Sequence, residues 1–176
     1  ATIETALAAR GLMFPAYPAS KSIATIGGMV ANNAGGEKTL RYGKTEAYVR
    51  SLRVILSDGQ AYEFRKLPLV EASHKSRQQN LEGRIYRTLM PLFPKHWSMI
   101  EAARPKVTKN STGYALWNAY DPVAKTIDLG QLLVGSQGTL GILSEVSLDV
   151  VPLEPHAEML VLYLDSLERV SEIVEA

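Results

Sequence analysis

Cysteine is absent from the 176 residues, which removes disulfides, thiolate metal sites, iron–sulfur ligation and cysteine nucleophiles from consideration. Charge imbalance is nearly absent too: 19 Lys and Arg stand against 18 Asp and Glu, a formal net charge of +1. That excludes a nucleic-acid binder relying on a bulk positive field, although it leaves room for a local basic patch. No apolar run approaches the roughly eighteen residues of a membrane-spanning helix, and the first residues lack the basic start and apolar core of a secretion signal. On these grounds the chain is expected to be soluble and cytoplasmic. His74, His96 and His156 lie scattered in polar stretches, with no His-x-x-x-His zinc pair and no GxSxG nucleophile turn. The GxxxxGK[ST] phosphate loop and a GxGxxG following a strand are both missing.

Glycine, by contrast, is unusual in placement. Of 13 glycines, Gly27, Gly28, Gly35, Gly36 and Gly43 fall in one window and Gly130, Gly135, Gly138 and Gly141 in another. Glycine costs chain entropy and adds nothing to a core, so clusters mark sharp turns or places where backbone approaches something closely. A helix starting on Gly27-Gly28 would present unpaired N–H groups, for which phosphate is a natural guest.

Periodicity organises the rest. Thr2–Arg10 has helical spacing, and Leu12–Phe14 could form a short strand before a Pro15–Ser20 loop. Val49–Leu56, Ser57-Asp58-Gly59 and Ala61–Arg65 make the clearest β-hairpin. Leu81, Ile85, Leu89 and Leu92 predict one helix, and Trp97, Ile100 and Ala103 a second, inside a polar insertion. Asp128–Val134 reads as a short helix, and Ile142–Val150 as a long strand with Ile142, Ser144, Val146, Leu148 and Val150 on one face. Pro152 and Pro155 are the best linker. Met159–Leu164 then predicts a strand, and Asp165–Ala176 a helix opened by an Asp165/Glu168 capping box.

Seven motifs in order carry a family resemblance: Pro18-Ala19-Ser20, Thr25-Ile26-Gly27-Gly28, Asn33-Ala34-Gly35-Gly36, Arg41-Tyr42-Gly43, the Val-Leu-Ser-Asp-Gly hairpin region, Ser111-Thr112-Gly113-Tyr114 and Gly135-Ser136-Gln137-Gly138-Thr139-Leu140-Gly141-Ile142. Together they resemble the FAD-linked oxidases of the vanillyl-alcohol oxidase and p-cresol methylhydroxylase (PCMH) type. Within that superfamily the pattern is most similar to the D-lactate, glycolate-oxidase-subunit and D-2-hydroxyglutarate dehydrogenases, especially the large members whose flavin part is fused to an iron–sulfur part.

The resemblance implies an α+β fold: the larger subdomain of a PCMH-type FAD-binding domain, a mainly antiparallel sheet with flanking helices and a helical insertion. It implies residues 1–154 for that subdomain, with the insertion at about 66–110, and residues 155–176 for the first strand and helix of a truncated cap domain. The chain is then expected to be a piece of a longer polypeptide whose other FAD subdomain and cap would be its partners. The parent could associate peripherally with a membrane.

The implied cofactor is FAD, and the implied reaction is hydride removal from a small D-2-hydroxy acid. Carried across, Pro18, Ala19 and Ser20 would border the FAD, and Thr25, Gly27 and Gly28 would meet its pyrophosphate and ribityl region. Asn33, Gly35 and Gly36 would support it, with Tyr42 and Gly43 near the isoalloxazine edge. Gln137, Gly138, Thr139, Gly141 and Ile142 would give backbone contacts toward the adenine side and inner rim. No catalytic base or metal ligand is assigned, since in the family the base comes from the cap, and the piece alone is expected to be inactive. Met29 stands where the family usually has Asn, and Gln137 where it usually has Glu. A cofactor-free scaffold module of the same fold, and the flavin subunit of a molybdenum hydroxylase, stay open as alternatives.

Overall fold

The computed structural model describes residues 2–171 except 108, 112, 155, 157, 159 and 165. Its architecture is α+β, with three small antiparallel sheets and helices packed against them. The hairpin forms where the sequence places it. Strand β2 (Val49–Ile55) pairs with β3 (Ala61–Arg65), and Leu52 and Val54 lie opposite Phe64 and Tyr62. Gly59 takes φ +76° in the turn. The Asp58 carboxylate accepts from the Gln60 amide at 3.0 Å and the Tyr62 hydroxyl at 2.6 Å, so the turn is held by the side chain that starts it.

On its other edge β2 pairs antiparallel with the later strand that leaves the second glycine window, Ile142–Leu148. Here the expected simple alternation fails. Val54 pairs with Leu143 and Arg53 with Glu145, which leaves Ser144 as an extra residue; its hydroxyl donates to the Arg53 carbonyl at 3.1 Å. The bulge puts Leu143 and Val146 on the core face together and turns Ile142 outward, 69% exposed. The strand also stops at Leu148, short of Val150.

Two apolar clusters make the interior. The larger holds Leu52, Val54, Phe64, Leu67, Tyr86, Phe93, Ile127 and Leu129 among others; the smaller holds Phe14, Ala16, Met29 and Ala34. The short strand β1 (Leu12–Met13) runs under the smaller cluster and pairs with Val151–Pro152. Helix α1 (Ile3–Ala8), capped by Thr2, precedes it and contributes Leu7.

The polar stretch that follows β3 is more structured than its sequence suggests. β4 (Leu67–Pro68) pairs with β6 (Thr126–Ile127), which also pairs with β5 (Tyr120–Asp121). This sheet escapes periodicity because two-residue strands are too short to show any. Helix α4 (Leu69–Ser76) is likewise illegible, since Ala72 is its one buried residue. Helix α5 (Leu81–Ala102) joins the two expected helices through Pro91 and Pro94, with a kink at His96, φ −116°. Proline removes the backbone donors that would keep such a helix straight. Tyr86 and Phe93, two turns apart, are buried on one face, and Phe93 stacks on Tyr120 at 5.8 Å.

Leu160–Leu164 is exposed and joins no strand, contrary to expectation. The expected capping box falls on Asp165, outside the described residues, as does Pro155 of the linker. Ser166 caps the 3-10 turn Leu167–Arg169 instead, accepting from the Glu168 amide at 3.2 Å. Among the described residues no helix is long and apolar enough to cross a membrane, and no group of His, Cys, Asp or Glu could hold a metal ion.

Leu52→Ala, which empties a fully buried site between the sheet and α5, is expected to cost about 2–5 kcal/mol in denaturant unfolding. Val123→Ala, at a position 91% exposed, should stay within about 0.5 kcal/mol.

Candidate functional site where the two glycine windows meet

Helix α2 (Ile26–Ala31) begins one residue after Thr25, whose hydroxyl accepts from the Gly28 amide at 3.1 Å. Its two buried residues pin it: Met29 enters the smaller apolar cluster and Val30 the larger. Met29 is therefore a core residue. Its side chain lies in the apolar cluster, away from the solvent-facing start of the helix. With six residues α2 aligns few peptide dipoles, so close backbone access, more than a helix field, is what this end offers.

The far end of α2 joins the windows. Asn33, at φ 45°, closes a Schellman turn in which its own amide bonds the Val30 carbonyl at 3.0 Å and the Ala34 amide bonds that of Met29 at 2.8 Å. The second window then docks on the same carbonyls: Gly135 N–H donates to Val30 O and Gln137 N–H to Ala31 O, each at 2.9 Å. Gln137 Nε2 adds a bond to Asn32 Oδ1 at 3.0 Å. Thr25, Gly27, Gly28 and Asn33 are thus on one short helix and its cap, with Gln137 and Gly138 laid against it. Thr139 continues the loop, its hydroxyl bonded to Ser136 O at 2.6 Å and to Tyr114 Oη at 2.9 Å. That second bond ties the Ser111–Tyr114 motif to the wall; Thr112 of that motif is outside the described residues.

The glycines separate into two kinds. At Gly36 an added Cβ would collide with the Tyr17 carbonyl oxygen and crowd Pro18, and at Gly141 it would sit 2.6 Å from Val54 Cγ1 and 2.8 Å from Ile55 O. These positions are glycine because the chain packs against itself. At Gly27 a Cβ would meet nothing within 4 Å, and φ is not in the left-handed region. No contact among the described residues requires glycine there, although alanine would suit the helix better.

The remaining expected residues form the flanks. Ala19 and Ser20 are exposed in the loop after Tyr17, whose hydroxyl donates to Glu37 at 2.8 Å. Gly35 packs against Thr39 and Lys44. Tyr42 ends helix α3 (Thr39–Tyr42) before Gly43 at φ +75°, and its hydroxyl donates to Glu154 Oε1 at 2.7 Å. That bond, with the Arg41 and Lys38 cations at 2.5 and 3.6 Å, holds the Glu154 carboxyl below its usual range; the same bond raises the Tyr42 hydroxyl. Ile142 points outward beyond the bulge.

Sequence reasoning missed a polar hub beside Asn33. Glu46 Oε2 accepts from Asn33 Nδ2 at 2.7 Å and from Asn118 Nδ2 at 3.3 Å, while the Glu46 amide donates to Asn33 Oδ1 at 3.0 Å. Lys44 Nζ lies 3.8 Å from Glu46 Oε1 with its side chain 8% exposed, and donates to the Asn110 carbonyl. The sole signal was position, one and three residues after the Arg41-Tyr42-Gly43 motif.

Residues 1–65 match the family model described as an FAD binding domain. Over 143 residues the chain is 35% identical to a D-2-hydroxyglutarate dehydrogenase of Pantoea ananatis, covering 81% of this chain and 14% of that protein. It is 30% identical to a D-lactate dehydrogenase of Anaerostipes hadrus over 90% of this chain and 22% of the other. The glycolate oxidase subunit GlcD of Bacillus subtilis is 30% identical over 97% of this chain and 26% of its own length. The chain thus spans about a seventh to a quarter of these relatives.

Two measurements check this geometry. Gly36→Ala should lower the thermal midpoint clearly, because the obstructing atom is backbone. Glu154→Gln should destabilise the protein at neutral pH and converge with the unsubstituted protein in acid. A carboxyl with a lowered folded pKa contributes fully above its unfolded pKa and loses that contribution as the pH falls through the folded one.

Proposed function

We propose that this chain supplies part of the FAD-binding wall of a flavin-dependent oxidoreductase acting on the CH–OH group of a D-2-hydroxy acid. The observation that carries the reading is the docking of Gly135 and Gln137 on the carbonyls of Val30 and Ala31. It makes one continuous surface from two side-chain-poor stretches about a hundred residues apart. The residues suit a flavin dinucleotide, which is long and flat and needs backbone approach at separated points. Gly27 supplies an opening that none of the described residues fills.

In this reading Pro18, Ala19 and Ser20 border the cofactor, Thr25, Gly27 and Gly28 lie along its phosphates, and Gln137, Gly138 and Thr139 face it from the second loop. Gly35, Gly36 and Gly141 act indirectly, by letting the loops pack closely, while Asn33 holds the junction through Glu46. Tyr42 and Gly43 lie at the flank, where Glu154 fixes the tyrosine. Bound FAD supplies the two-electron chemistry, and the protein positions it. No residue here is assigned the base that takes the hydroxyl proton; that group, the substrate contacts of the cap and the other FAD subdomain belong to the rest of the proposed parent. Substrate class follows the names of the relatives, D-2-hydroxyglutarate, D-lactate and glycolate.

Met29 and Gln137, the two departures from the family's usual residues, would favour a cofactor-free scaffold if they had no other role. Burial of Met29 in the apolar cluster, and the use of the Gln137 amide group to bind Asn32, give both residues reasons independent of cofactor loss.

Gly27→Ala separates function from folding. Alanine should raise stability by up to about 1 kcal/mol through helix propensity and weaken FAD binding at least tenfold, read by quenching of flavin fluorescence. Equal FAD affinity in both proteins would defeat the assignment of Gly27.

A further inference from the structure

The segment from Lys66 to Asp128 builds a cleft of about 320 Å³ that no residue of either glycine window lines. Its volume falls within the ~300–1,000 Å³ of ligand pockets. The end of α5 contributes Trp97 and Glu101, with Arg104 just beyond the helix. Facing them are Trp117, from the 3-10 turn Leu116–Asn118, and Tyr120 and Asp121 of β5. Both tryptophans of the chain therefore line one cleft, each half-buried.

The aromatic groups are held but not used up. Trp97 meets Tyr120 edge to face at 5.3 Å, and Tyr120 is backed by Phe93, so that corner is fixed. No ring among the described residues packs on Trp117. Neither indole N–H finds an acceptor among the described residues, and neither nitrogen is sealed from solvent. The cleft thus offers flat apolar faces and donors with nothing to donate to. An ordinary peptide brings one N–H for every carbonyl, whereas a proline-rich one brings carbonyls without donors. It also arrives on a polyproline II helix whose carbonyls have no internal partners, and aromatic-lined grooves are how such segments are bound. Charge adds a second constraint. Glu101, Asp121 and Asp128 stand against Lys66 and Arg104 on the lining, and none of the five is in an ion pair. One negative charge is in excess, and Glu101 is exposed with no side-chain partner among the described residues.

We infer that this cleft docks a proline-rich segment of a partner protein carrying a basic residue. The proline rings lie against Trp97 and Trp117, the indole N–H groups donate to the segment's carbonyls, and the basic side chain is set toward Glu101. The inference uses none of the glycine-window residues and stands or falls apart from the flavin reading.

The test is calorimetric titration of the full chain with a decaproline peptide ending in one arginine. Plain decaproline, adenosine and a glycine–serine peptide of equal length ending in the same arginine are titrated alongside. Saturable binding is expected for the first, weaker binding for plain decaproline and none for the glycine–serine peptide. Trp117→Ala should weaken binding at least tenfold, and Trp117→Phe, which keeps a ring but loses the indole N–H, several-fold. Glu101→Gln should remove the advantage of the terminal arginine, while Val70→Ala, at a position 74% exposed on α4, should change nothing. Trp117→Phe and Glu101→Gln carry the test if Trp117→Ala disturbs folding. A folded protein that gives no saturable response to either proline peptide overturns the inference. So does a folded Trp117→Ala variant that binds as well as the original, a glycine–serine peptide that binds as tightly, or adenosine binding more tightly than the proline peptides.

Discussion

Everything in the proposed wall depends on how the last turn of α2 satisfies its carbonyl oxygens. A helix end leaves such oxygens without intrahelical donors. The Schellman turn at Asn33 takes those of Met29 and Val30, and the second glycine window takes that of Ala31 and the second lone pair of Val30. Because both loops answer one local hydrogen-bonding demand, each is held in register with the end of α2. Loss of that junction would separate the two stretches that the proposed cofactor must touch together.

Packing keeps the junction in place. Adjacent residues Met29 and Val30 enter different apolar clusters, so α2 cannot rotate without unburying one of them. On the other side Gly141 brings the second loop against β2 near the Val54 side chain and the Ile55 carbonyl. The Ser144 bulge then sets the strand so that Leu143 and Val146 meet the core. Glu46 ties the same cap to Asn118 and, through its carbonyl, to Gln131 at 3.3 Å, which joins the hub to the segment leading into the second window.

The distinction between crowded and open glycines gives this arrangement a chemical meaning that glycine content alone lacks. Gly36 and Gly141 are accounted for by neighbouring atoms of the protein. Gly27 is not, and its open side lies on the same helix that carries the junction. A residue that sacrifices helix propensity with no packing return is where an outside group is expected to approach.

Local chemistry made several features legible in the sequence: the hairpin with its Asp58-Gly59 turn, the short helix at the Gly27-Gly28 pair, the Leu81, Ile85 and Leu89 face of α5 though not its exposed Leu92, and the two glycine windows as places of close approach. Each follows from short-range spacing and backbone freedom, which need no knowledge of distant residues. The bulge at Ser144, the two-residue strands β4, β5 and β6, the inward turn of Met29 and the Lys44–Glu46–Asn33 hub were decided only by tertiary structure. Pairing register, burial and long-range partners set them, and those depend on residues tens of positions away that leave no periodic trace in the chain.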